Sequence, residues 1–294
     1  MGSQTYRYRV VDVFTTQPLE GNPLAVFPDA RGINDATMQR IAREFNLSET
    51  TFVLPASQPD YAAFVRIFTP YKEMKFAGHP TIGTSFVLLD EGKVSRHGER
   101  FVLEEKVGGV PIRVEPGEEP MIWLTTPTIQ FEKIYDRKIC AEALGLTKDD
   151  LLEMNPQVLS AGIPNLYVAV RNKGAVDRAW LDLRGAASLK DGDGEALCVF
   201  VFTPTPEGAY SRMFAPELGV QEDPATGSAT GPLAAYMLRN GLLPKGERKR
   251  YVSEQGTKMG RRSLLHIQLA DGDSEQGVEV GGHVTPIADG TMRI

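Results

Sequence analysis

Apolar and polar positions alternate in short runs along most of the chain. TYRYRVVDVF (5–14), AVFPDA (25–30), TTFVLPA (50–56), YAAFVRIFTP (61–70), RFVLEE (100–105), VPIRVEP (110–116) and MIWLTTP (121–127) are rich in β-branched and aromatic residues and are broken by Gly or Pro. That pattern predicts strands. LYVAV (166–170), ALCVFVFTP (196–204), YSRMFAP (210–216), LLHIQL (264–269) and VEVGG (278–282) read the same way. Helical spacing is rarer. NDATMQRIAREFNL (34–47) sets Met38, Ile41, Ala42 and Phe45 on one face, with Asn34 as its N-cap. AEALGLTKDDLLEM (141–154) predicts a helix in the second half. PTIGTSFVLLDEG (80–92) and PATGSATGPLAAYMLRNG (224–241) are apolar on nearly every face and stop near Gly92 and Gly241. Helices of that kind are buried.

The chain also repeats itself. GHPTIGTS (78–85) is echoed by EDPATGSA (222–229), aligning Pro80 with Pro224, Gly83 with Gly227, Thr84 with Ser228 and His79 with Asp223, an offset of 144 (223 − 79). Upstream, FVRIFTP (64–70) and YSRMFAP (210–216) share F/Y-x-R-x-F-x-P at an offset of 146 (210 − 64). Earlier still, GNPLAVF (21–27) has a looser echo in GIPNLYVAV (162–170). Three matches in one order argue for a duplicated unit of domain size. The expected fold is α+β. It has two similar lobes related by a pseudo-two-fold repeat, each a β-barrel-like sheet wrapped around a central helix. The lobes are expected at 1–128 and 129–294, with the tail HVTPIADGTMRI (283–294) a candidate to return to the first.

Composition narrows the function. A length of 294 residues suggests about two domains, and 41% hydrophobic with 24% charged residues is ordinary for a globular protein. The net charge of −6, without a basic stripe, argues against nucleic acid as a partner. No apolar run is long enough for a membrane span, and the start has no secretory signal, so the cytoplasm is the expected location. Cys140 and Cys198 make no disulfide framework, and the histidines at 79, 97, 266 and 283 are too scattered for a metal centre. Neither G-x-x-x-x-G-K-[ST] nor a strand-linked G-x-G-x-x-G is present; KVGGVP (106–111) and DGDGEA (191–196) read as turns.

The octapeptides are the candidate chemistry. Pro suits the first helical position, so Asp223 and His79 are expected as N-caps just ahead of Pro224 and Pro80. A helix N-terminus presents unpaired N–H donors and about half a positive charge, which suits a carboxylate and the negative charge of an enolate. Each motif alone also reads as an ordinary helix start. His79 and Asp223 are the acid–base candidates of this pair, and Glu49, at a helix-to-strand junction, reads unaided as a solvated loop acid.

Together, GNPLAVF, LSETTFV (47–53), FTPYKEMKFAGHPTIG (68–83) and EDPATGSATGPLAAY (222–236) resemble the PhzF-like phenazine-biosynthesis isomerases, from about residue 6 to the end. The resemblance implies the diaminopimelate-epimerase-like fold with a site between its lobes, cofactor-free isomerisation of a small carboxylate-bearing molecule, and a homodimer. It makes Glu49 the proton-shuttling acid/base, with His79, Asp223 and Ser228 as its catalytic companions. Asn22, Gly78, Thr226 and Gly227 become substrate-binding candidates. A racemase of the same fold, working through paired cysteines, is the alternative, although Cys140 and Cys198 lie outside both octapeptides. A non-catalytic metabolite-binding protein is the other.

Overall fold

The alternating runs form strands, and their connections fall into two series. The computed structural model describes residues 4–94, 100–190, 196–243, 249–270 and 275–294; His97 and most of DGDGEA lie outside them. In chain order the first series is β1 (Thr5–Val13), β2 (Asn22–Phe27), α1 (Asp35–Phe45), β3 (Glu49–Leu54), β4 (Ala63–Phe68), β5 (Glu73–Met74), α2 (Gly78–Asp90), β6 (Arg100–Glu105), β7 (Gly108–Glu115) and β8 (Met121–Thr125). The second is β9 (Gln130–Ile134), α3 (Arg137–Ala143), β10 (Gln157–Ser160), β11 (Pro164–Ala169), α4 (Lys173–Arg178), α5 (Leu183–Ser188), β12 (Cys198–Thr205), β13 (Gly208–Ala215), β14 (Val220–Asp223), α6 (Gly227–Arg239), β15 (Arg250–Gln255), β16 (Ser263–Gln268) and β17 (Glu279–Gly282). A last strand, β18 (Val284–Arg293), runs antiparallel to β1. The chain divides into two units, one comprising residues through Thr125 together with Gly281–Ile294, the other Thr126–Val280.

In the first unit β1 lies between β18 and β2, and β2 continues parallel to β3. β3 pairs antiparallel with β4, which also carries the two-residue β5 and runs parallel to β6; β7 and β8 follow as antiparallel strands. The sheet curls around α2, which touches β1, β2, β3, β4, β8 and β18. Every residue of α2 from Gly78 to Leu89 is buried. Gly83 permits that fit, since a Cβ there would lie 2.7 Å from Leu24 and 2.8 Å from Val13. α1 closes the other face of this sheet. Met38, Ile41 and Ala42 pack with Phe27, Phe52 and Phe68, and the rings of Phe27 and Phe52 stack at 5.1 Å. Burying side chains of this size contributes about 1.5–3 kcal/mol each. Asn34 accepts a hydrogen bond from the Thr37 N–H and caps α1, as the sequence predicts.

The second unit repeats these connections: β11 parallel to β12, β12 antiparallel to β13, β13 carrying β14 and running parallel to β15, and β15 antiparallel to β16. α6 is its buried helix, in contact with β10, β11 and β16. Leu233, Ala234 and Met237 join Tyr167, Phe200 and Phe202 in its core.

Three expectations need correction. The first concerns the caps. α2 begins at Gly78 after Ala77, so His79 is its second residue and not its cap. Pro80 is then the third residue, where a missing N–H is still harmless because the first four have no intrahelical acceptor. α6 begins at Gly227 after Thr226, and Asp223 ends β14 instead of capping the helix. The second concerns the register of the repeat. Both helices have 13 residues, from 78 to 90 and from 227 to 239, an offset of 149 (227 − 78). The same offset pairs Thr81 with Thr230, whose hydroxyls donate to the carbonyls of Ala77 and Thr226. It also pairs Gly92 with Gly241, both left-handed just past the helix ends. His79 therefore matches Ser228, and Asp223 matches Met74. The strands agree, because Ile67 faces Met74 as Met213 faces Asp223. The third concerns 141–154: α3 ends at Ala143, Gly145 turns left-handed at φ 66°, and Thr147 with Asp150 opens only a short 3-10 turn.

Candidate active site

In the first unit, four predicted residues come together at the start of α2. Glu49 is the first residue of β3 and pairs with Leu24 of β2, which brings it beside the Asn22–Pro23 step. His79 projects from the first turn of α2, and its Nε2 stands 3.4 Å from Glu49 Oε2. The histidine side chain is 5% exposed and the glutamate 17%, so the pair opens to solvent on the carboxylate side. Asn22 Nδ2 is 3.3 Å from His79 Nδ1. Nδ1 is the ring nitrogen engaged with its neighbours, and Nε2 is the one presented to Glu49. Burial drives the His79 pKa down to about 3, against a hydrogen bond with the Pro23 backbone that favours the charged ring. The imidazole is neutral at pH 7. Gly78 supplies a terminal N–H at the same helix tip.

In the second unit, Asp223, Thr226, Gly227 and Ser228 lie together at the start of α6 and are all buried. The Thr226 hydroxyl donates to Asp223 Oδ2 at 2.6 Å. The N–H groups of Gly227 and Ser228 belong to the first turn, where helical geometry offers no acceptor.

Sequence reasoning missed the frame behind this tip. The Gln255 side-chain amide donates to the Asp223 carbonyl at 2.7 Å and to Thr226 Oγ1 at 3.0 Å, and its Oε1 accepts the Thr226 N–H at 3.2 Å. Gly256 follows with φ 76°, and a Cβ there would lie 2.6 Å from the Pro224 carbonyl oxygen. A signal existed: Tyr251, Ser253 and Gln255 are the inward positions of an alternating strand, and an inward Gln requires partners. In the first unit the unpredicted support is Glu105, fully enclosed at the end of β6, within 2.6 Å of the Thr81 hydroxyl.

The cysteines lie elsewhere. Cys140 is buried in α3, where enclosure pushes its thiol up to about 12, and Cys198 is buried at the start of β12. Among the described residues no group of three or more His, Cys, Asp or Glu side chains is arranged to hold a metal ion. No helix there is long and apolar enough to cross a membrane.

Residues 11–290 match the family profile described as phenazine biosynthesis-like protein, PhzC-PhzF. The chain belongs to the phenazine biosynthesis-like family. Among its relatives is an isomerase of Mesorhizobium japonicum, 38% identical, with 99% of this chain and 100% of the relative aligned. The trans-2,3-dihydro-3-hydroxyanthranilate isomerase of Pseudomonas aeruginosa is 37% identical, over 97% of this chain and 98% of its own length. The crystal structure of a Bacillus anthracis phenazine biosynthesis protein of the PhzF family superposes with a TM-score of 0.87 at 26% identity, covering 99% of this chain and 100% of that one. The protein is thus a member of a family of isomerases, with the family's mixed α/β fold.

Proposed function

We propose that this phenazine biosynthesis-like protein shifts a double bond in a small carboxylate-bearing metabolite by cofactor-independent proton transfer, with Glu49 as the group that removes and returns the proton. The observation that carries this reading is Glu49 lying 3.4 Å from the buried His79 at a helix tip. In the proposed step, Glu49 takes a proton from a carbon conjugated with the substrate carboxylate. The C–H electron pair enters the conjugated system and spreads onto that carboxylate. The carboxyl proton of Glu49 exchanges with solvent, and the protonated Glu49 then delivers a proton to a second carbon, so one proton leaves carbon, one returns, and no electron is gained or lost overall.

The remaining residues divide by their chemistry. In the second unit the N–H groups of Gly227 and Ser228, with the Ser228 hydroxyl, suit a carboxylate whose negative charge grows during the reaction, and in the first unit the Gly78 N–H has the same character. In the second unit Asp223, oriented by the Thr226 hydroxyl, suits a hydroxyl or amine, and in the first unit His79 suits a group of the same kind. Asn22 lines the site beside His79. The substrate class we propose is a dihydro-hydroxyanthranilate-type acid, in line with the 37% identical relative of that name. The assembly we propose is a homodimer, which sedimentation velocity reads directly.

The test is incubation with trans-2,3-dihydro-3-hydroxyanthranilate in D2O, followed by NMR. The expected result is product formation with solvent deuterium on ring carbon. No product and no deuterium uptake, for this acid and a panel of related cyclic carboxylates, would overturn the reading.

A further inference from the structure

The two F/Y-x-R-x-F-x-P stretches place an arginine at the same point of each unit, and both arginines do the same thing. Arg66 of β4 holds Glu73 of β5 with two prongs, Nε to Oε1 at 2.7 Å and Nη2 to Oε2 at 2.8 Å. Arg212 of β13 holds Glu222 of β14 with Nε to Oε1 and Nη2 to Oε2, both 2.8 Å. Each guanidinium also covers the aromatic ring two residues on, Phe68 at 5.2 Å and Phe214 at 4.7 Å. The third arm ties each arginine to a helix. Arg66 Nη1 reaches Asp35 at the start of α1, 2.5 Å away, and Arg212 Nη1 reaches the Ala179 carbonyl just past α4 at 2.7 Å. All four side chains of the two pairs are at most 15% exposed.

Glu73 and Glu222 match in the 149-residue register, and each stands four residues ahead of its helix cap, Ala77 or Thr226. Glu222 is joined by one peptide bond to Asp223, and Glu73 leads within six residues to His79. A buried ion pair adds little net stability, because desolvation offsets most of its attraction. A two-pronged Arg–carboxylate pair does fix geometry. We propose that the Arg66–Glu73 and Arg212–Glu222 pairs are positioning devices: each fixes the strand that leads into a helix tip, and so fixes His79 in one unit and Asp223 with Ser228 in the other. This rests on the reading that those residues act on the substrate.

The experiment uses the full chain carrying Arg66→Lys, Arg212→Lys or Glu222→Gln, with Asp35→Asn as a control. Asp35 belongs to the third arm and is 81% exposed. Lysine keeps the charge but cannot make the double prong. With trans-2,3-dihydro-3-hydroxyanthranilate, kcat is expected to fall about tenfold to a hundredfold in the Lys and Gln variants, the loss typical of a catalytic group misplaced by about 1 Å. KM is expected to stay within about threefold, and Asp35→Asn to keep kcat within about twofold. Joining Arg212→Lys to Glu222→Gln is expected to add little to either alone, as for one coupled unit. A lowered Tm with unchanged kcat in the Lys variants would overturn the proposal, as would an equal kcat loss in Asp35→Asn. If the unaltered chain does not turn over this acid, the substrate reading fails alone, and backbone amide spectra decide the clamp. Arg212→Lys is then expected to shift the signals of Thr226, Gly227 and Ser228, and unmoved signals there would overturn it.

Discussion

The Thr81 hydroxyl has one proton and two acceptors in reach, the Ala77 carbonyl at 2.7 Å and Glu105 Oε1 at 2.6 Å. Burial pushes the Glu105 pKa up to about 8, against the pull of a hydroxyl that favours the carboxylate when it donates to it. Burial thus favours the protonated acid, while the Thr81 hydroxyl stands 2.6 Å from Glu105 Oε1. His79, two residues before Thr81, is shifted oppositely to Glu105, to about 3. These shifts set a pH profile for stability. Folded Glu105 keeps its proton from its ordinary value of 4.5 up to about 8, while the unfolded chain releases it, so stability falls as pH rises through that window. Folded His79 stays neutral from 6.5 down to about 3, while the unfolded chain binds a proton, so stability falls as pH drops through that window. Each slope approaches ~1.4 kcal/mol per pH unit. Between 4.5 and 6.5 the two oppose each other, leaving a plateau with a decline on either side. Glu105→Gln is expected to remove the alkaline decline and leave the acid one. Urea midpoints measured from pH 4 to pH 9 check this, and an unchanged alkaline limb would contradict it.

Among the elements, α2 and α6 were the easiest to find and the hardest to set in register. Their greasy composition and the terminal glycines at 92 and 241 announce two buried helices, and both glycines do turn left-handed there. Aligning Pro80 with Pro224 misled, because Pro224 lies before its helix and Pro80 inside one. A proline fits both places, since extended chain and the first helical turn tolerate its fixed φ and missing N–H equally. The hydroxyl bonds of Thr81 and Thr230 fix the true register, but they depend on coordinates. Gly231 shows what the second helix requires of its neighbours. A Cβ at that position would lie 2.3 Å from Thr126 Oγ1 and 2.9 Å from its Cβ. Gly231→Ala gains up to ~1 kcal/mol of helix propensity but meets this overlap, and forced overpacking costs about 1–3 kcal/mol. The expected outcome is a net loss of stability in urea titration, and a rise in midpoint would show that Thr126 yields freely.

Across the whole molecule, the order of strands and the presence of a duplication were legible, because hydrophobic alternation and turn residues act locally. The residues of the candidate site were legible through the motif resemblance, and the structure gathers Asn22, Glu49, Gly78 and His79 at one helix tip and Asp223, Thr226, Gly227 and Ser228 at another. The supporting shell was not. Gln255 meets Asp223 only because β15 runs parallel to β13, and Glu105 meets Thr81 only because β6 runs parallel to β4. Such pairings join distant parts of the chain, and no local pattern encodes them. Glu49 is the group proposed to carry the proton, and Glu49→Gln isolates that role, because the amide keeps the size of the side chain and loses its basicity. Turnover of trans-2,3-dihydro-3-hydroxyanthranilate is expected to fall by about 10²–10⁴-fold, while the affinity for 3-hydroxyanthranilate, a stable aromatic relative of that acid, stays within about threefold by calorimetry. Turnover within about twofold of the unaltered protein would contradict the assignment.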